Sequence, residues 1–94
     1  MHGLSEETYS KIKKIIDKYP EVKFKLFGSR AREDYKYNSD IDLAIISDLD
    51  ETLENKIKNE FFILETLYKI DLVIMSRCGN EKLIQNIENE GVDF

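Results

Sequence analysis

A chain of 94 residues, 41% hydrophobic and 35% charged, has material for one core and no room for a second. That balance excludes the disordered and fibrous classes, and no stretch approaches the ~20 apolar residues of a membrane span. The net charge of −5 sets the overall field against gripping a long nucleic acid.

Taken in chain order, Ser5 is placed to cap a first helix, with Glu6 and Glu7 at its positive end. Tyr9, Ile12, Ile15, Ile16 and Tyr19 recur at helical spacing and form one stripe, and Pro20 stops the helix. In "VKFKLFG", Val22, Phe24 and Leu26 alternate with Lys23 and Lys25, the pattern of a half-exposed strand. Residues 29–33 suit one helical turn and 34–39 a loop. "DIDLAIIS" then reads as a second strand, apolar on both faces beyond its first residues and therefore covered on both sides. Asp50 or Thr52 starts a long helix with Leu49, Leu53, Ile57, Phe61 and Leu64 in period. "YKIDLVIMS" is a third strand. Glu81–Glu90 is a last helix with Leu83, Ile84 and Ile87 inward, stopped near Gly91.

This order predicts a single layered α+β (α/β) domain over residues 1–94, built on a mixed three-stranded sheet flanked by helices. The long helix between strands two and three has the length of a parallel crossover. The short link between strands one and two joins antiparallel neighbours, giving the order 1-2-3. A lone cysteine, Cys78, cannot form an internal disulfide, and "MHGLSEETYS" lacks the basic-then-apolar pattern of a signal. Both point to the cytoplasm.

The chemistry concentrates in "FGSRAREDYKYNSDIDLAII". Alternate residues of a strand share a face, so Asp40 and Asp42 project together, about 6–7 Å apart at the Cα. "IDLVIM" nearly repeats "IDLAII", and parallel strands with matched ends would bring Asp71 beside Asp42. Three such carboxylates repel one another unless a hard divalent cation neutralises them. Gly28 permits a sharp turn, and Ser29 offers a hydroxyl and free N–H groups to phosphate oxygens. Arg30 and Arg32 could add charge-assisted bonds. Lys23, Lys25, Arg30, Arg32 and Lys36 outnumber Glu33 and Asp34 around this turn, a patch suited to a small anion such as a nucleotide triphosphate. Ordinary roles stand beside these: Lys23 and Lys25 as a solvated face or edge guard, Arg30 and Arg32 as surface charges or partner contacts.

Gly28 and Ser29, ten residues, then Asp40-x-Asp42 and a later strand aspartate resemble the DNA polymerase β-like nucleotidyltransferase superfamily, closest to its minimal (MNT) members. The resemblance implies the palm-like nucleotidyltransferase fold and ATP as nucleotide donor with Mg²⁺, two ions in all. It places Gly28 and Ser29 on phosphate, with Asp40 and Asp42 on metal. Asp71 would be a third ligand or the base for the incoming hydroxyl. It further implies transfer of AMP to a hydroxyl, a tyrosine in several relatives, of a small helical partner, a HEPN toxin or substrate-binding subunit. A chain this short has no acceptor-binding domain, a physical reason to expect such a partner, and it leaves a homo- or hetero-oligomer open. The alternative is a catalytically silent antitoxin or regulatory subunit that neutralises its partner sterically. A polymerase acting on nucleic acid is disfavoured by the acidic balance. Glu33 stands where many relatives have glycine, which sets the turn after Arg32 apart.

Overall fold

The computed structural model describes residues 2–94. Its frame is a four-stranded sheet made of β1 (Phe24–Phe27), β2 (Ile41–Ile45), β3 (Ile70–Ile74) and β4 (Val92–Asp93), in the order β3-β2-β1-β4. β1 runs antiparallel to β2, with Phe24 opposite Ile45 and Phe27 opposite Asp42. β2 and β3 are parallel and in matched register, from Ile41 opposite Ile70 to Ile45 opposite Ile74. Parallel neighbours need a return path, and α3 (Glu51–Phe62) supplies it. Asp50 is its cap: the Asp50 side chain accepts from the Leu53 N–H at 2.8 Å.

One face of the sheet carries Phe24, Leu26, Ile41, Leu43 and Ile45, and it is covered by α3 and by α1 (Glu6–Asp17). Ile12, Ile57, Ile41 and Ile45 are all at 0% exposure. Burying each contributes about 1.5–3 kcal/mol before conformational entropy is counted. The opposite face is smaller. There Phe27 and Ala44 pack beneath Ile87 of α4 (Glu81–Glu90), so the apolar two-sided reading of β2 is met by helices on both sides. α1 starts as its sequence predicts, with the Ser5 hydroxyl accepting from the Thr8 N–H at 3.2 Å.

Several expectations are corrected. The sheet has four strands, not three, because the chain continues past α4 and lays Val92–Asp93 along the outer edge of β1. Two residues are too few to show a period. Lys25 consequently lies opposite Asp93 instead of guarding an open edge, and Lys23 pairs with the Asp93 carboxylate at 3.9 Å. Gly91 ends α4 in an extended conformation (φ −66°, ψ 140°), which leads directly into β4. Leu64 falls beyond the last turn of α3. β3 stops at Ile74 and passes into a 3-10 turn, Met75–Arg77. That turn is fastened by Arg77 donating to Glu54, a carboxylate only 3% exposed that also pairs with Lys58 at 3.0 Å. The two cations hold the Glu54 carboxyl below its usual range. Among the described residues, no helix is long and apolar enough to cross a membrane.

Candidate active site

The register of the sheet decides what the aspartates can do. Asp42 and Asp71 are direct neighbours on parallel strands and share the face that α4 covers only in part. Asp40 immediately precedes β2 at the same end. Burial pushes the Asp42 carboxyl above its ordinary value, and the charges of Asp71 and then Asp40 push it further in the same direction. Arg32 and Arg30 oppose the shift without cancelling it. The sequence therefore brings three acids near enough to disturb one another, two of them in one rung of the sheet.

Because β1 is antiparallel to β2, its C-terminal end reaches the start of β2, and Gly28 lies against Asp42. Gly28 has φ +74°, and a Cβ built on it would overlap Oδ2 of Asp42. The conformation favours glycine, and any side chain there would push the Asp42 carboxylate aside. Ser29 follows as the first residue of α2 (Ser29–Arg32), half-buried beside this turn. Glu33 caps α2 in the left-handed region at φ +65°, the backbone that favours glycine. Its position matches the departure seen in the sequence. Arg32 is exposed near the turn and paired with Asp34 at 3.0 Å and with Glu90 of α4 at 3.1 Å.

Arg30 does not stand where a triphosphate ligand would. It is at 0% exposure and points inward. Nε and Nη2 donate to the Ser39 carbonyl at 3.2 and 2.8 Å, Nη1 to the His2 carbonyl at 2.8 Å, and Nη2 also to the Tyr37 carbonyl at 3.4 Å. Its guanidinium lies 5.2 Å from the Tyr35 ring centroid and 4.8 Å from that of Tyr68. The expectation that Arg30 binds phosphate is corrected by this geometry, since all of its donor-bearing nitrogens are already engaged within the fold. A "GSR" turn does not tell whether its arginine faces ligand or core. Tyr35 and Tyr68 are the partners that sequence reading missed as a set, and only the fold brings both rings to one side chain.

Carboxylates on adjacent strands, one of them disfavoured in its charged form, make a donor set that fits a hard divalent cation such as Mg²⁺. Among the described residues no three His, Cys, Asp or Glu side chains stand ready-made as a metal cage. A cleft of about 540 Å³ lies away from these residues, at the opposite end of the sheet, lined by Tyr19, Pro20, Phe24 and Phe94.

Residues 10–93 match the family model described as polymerase beta, nucleotidyltransferase. Among solved structures, the chain is similar to a toxin–antitoxin crystallised with AMP-PNP, at 26% identity and a TM-score of 0.62, over 89% of this chain and 69% of that one. It is also similar to a mutant of the toxin–antitoxin MntA-HpeT, at 25% identity and a TM-score of 0.60, over 97% of this chain and 72% of that one. A second MntA-HpeT mutant, at 24% identity and a TM-score of 0.59 over 89% and 69%, shares the fold. No curated protein sequence matches. With the family model spanning nearly the whole fold, the chain belongs to the polymerase beta nucleotidyltransferase family and is a nucleotidyltransferase.

Proposed function

We propose that this enzyme transfers AMP from ATP to a hydroxyl, in the first instance a tyrosine, of a small helical partner protein, with pyrophosphate as the leaving group, and that it thereby acts as the antitoxin of a toxin–antitoxin pair in the cytoplasm. The observation that carries the reading is the rung formed by Asp42 and Asp71, with Asp40 beside it and the bare backbone of Gly28 against it. The similar toxin–antitoxin structure with AMP-PNP, an ATP analogue, supports both the nucleotide and the partner.

In this reading Asp40 and Asp42 would hold Mg²⁺, and Asp71 would be a third ligand or the base that takes the proton of the incoming hydroxyl. Bound Mg²⁺ supplies charge neutralisation for the triphosphate. Gly28 lets the phosphates approach the backbone, Ser29 donates its hydroxyl to them, and Arg32, the exposed arginine, exchanges Asp34 and Glu90 for phosphate oxygen. The partner would settle at the same end of the sheet. α3 must run back to that end before β3 begins, so Phe62 at its last turn and Ile63 and Leu67 after it, all exposed, lead toward β3 and Asp71, while exposed Tyr37 lies in the loop before Asp40. Exposed large apolar side chains on these segments suit a protein partner.

Incubating the purified chain with its candidate partner, ATP and Mg²⁺ tests the proposal by intact-mass spectrometry. The partner should gain the mass of one or more AMP units, and Asp42→Asn should slow the gain by roughly 10²–10³-fold. A partner of unchanged mass, together with an Asp42→Asn chain that protects cells as wild type does, would overturn transfer in favour of steric neutralisation.

A further inference from the structure

The groups assigned to the site ride on three segments: Ser29 on α2, Asp40 and Asp42 across the junction of the preceding loop with β2, and Asp71 one residue into β3. Loops and strand ends of a small domain drift unless something fastens them, and a metal-binding constellation tolerates little drift. One side chain touches all three segments. Arg30 is the residue after Ser29; its fork closes on the carbonyls of Tyr37 and Ser39, the latter adjoining Asp40; and its flat face lies on Tyr68, just ahead of β3. A backbone bond from the Ile41 N–H to the Lys69 carbonyl, 2.8 Å, joins two of these segments directly, and the Arg30 side chain adds a tie from α2 to both.

The surroundings are built for this side chain. The Tyr35 ring also lies against the guanidinium, and the N-terminal strap brings in the His2 carbonyl. Gly3, at φ +74°, has no room for a Cβ, because the Tyr35 ring already fills that space and Arg30 Nη1 lies beside it. Among the described residues no carboxylate pairs with Arg30, so its charge is held by carbonyl dipoles and aromatic faces. A buried cation without an ionic partner is expensive to maintain. A role confined to filling space would be met as well by an apolar residue of similar volume.

We propose that Arg30 is a positioning residue for nucleotidyl transfer, whose buried guanidinium locks the Ser29 turn, the loop before Asp40 and the segment before Asp71 into one frame. This inference rests on the carboxylate-and-metal reading given above. Lysine cannot replace it, since a single ammonium cannot span three carbonyls and stack on two rings.

Titration calorimetry of the full chain with ATP, with and without Mg²⁺, tests the inference at a temperature where circular dichroism shows every variant folded. Arg30→Lys should weaken Mg²⁺-dependent ATP binding roughly 10- to 100-fold. Tyr35→Leu, which removes one stacking face, should weaken it less. Ile15→Val, a core change that lowers the melting temperature without touching this cluster, should leave binding unchanged. Wild-type affinity in Arg30→Lys overturns the inference, as does an equal loss in Ile15→Val. If Arg30→Lys does not fold, Tyr35→Leu carries the comparison and unchanged affinity there overturns it. A wild-type chain without Mg²⁺-dependent binding overturns the metal reading itself, and this inference with it.

Discussion

β2 and β3 are written in almost the same letters, "IDLAI" and "IDLVI", yet they live in different environments. β2 has a strand on each side, and Ile41, Leu43, Ala44 and Ile45 are all at 0% exposure. β3 is an outer strand, and only Ile74 is buried. The same contrast separates the two aspartates of the shared rung. Asp42 is desolvated and pushed up, whereas Asp71 is half-exposed and leans toward Lys69 at 3.7 Å. Local sequence decides that both become strands. Place in the sheet decides which aspartate bears the electrostatic cost.

The sharpest way to break this comparison is to truncate the matching leucines. Leu43→Ala should cost about 2–5 kcal/mol in urea denaturation, and Leu72→Ala roughly half as much, since its surroundings can relax. Equal losses would mean that the outer strand is covered in solution.

Making the two words alike is the next test. Ala44→Val gives β2 the letter of β3 but forces two methyl groups beneath Phe27 and Ile87, and a loss of about 1–3 kcal/mol is expected from thermal melts. Val73→Ala, the reciprocal change on the half-buried strand, should cost less.

Charge gives a smaller and pH-dependent difference. The folded Asp42 carboxyl lies above its ordinary 3.8, so the native state disfavours ionisation there. Its destabilising effect is absent below the unfolded value and develops as pH rises through the folded one. Asp42→Asn should therefore raise the melting temperature at pH 7 and not at pH 3, with Asp71→Asn giving a weaker gain. Added Mg²⁺ should stabilise the wild-type chain and lose that effect in Asp42→Asn. The smallest change lies outside both strands: Glu33→Gly relieves a left-handed residue and should gain about 1 kcal/mol or less, measured by the same melts.

Much of this arrangement was legible in the sequence because it rests on periodicity. The stripe of α1, the two-sided run of β2 and the echo in β3 each span enough residues to declare their period, and the short link ahead of Asp40 forced an antiparallel pair. Gly28 was legible as well, since a glycine next to a strand end in this motif has few other uses. β4 was not, because Val92 and Asp93 become a strand only by meeting Lys25 and Leu26. Arg30 was not either. Its partners are carbonyls and two tyrosines distant in sequence, and neither kind of partner leaves a pattern that spacing can reveal.

The parallel pairing of β2 with β3 has a consequence for the order of events during synthesis. The first two aspartates and the glycine turn emerge early and can meet across the β1–β2 pair, but the third becomes available only after α3 has been made and folded back. A nascent chain that has not closed this crossover holds half of its rung. On the proposed reading of this site, competence would arrive only with the closed crossover, and Mg²⁺-dependent nucleotide binding would then report completed topology.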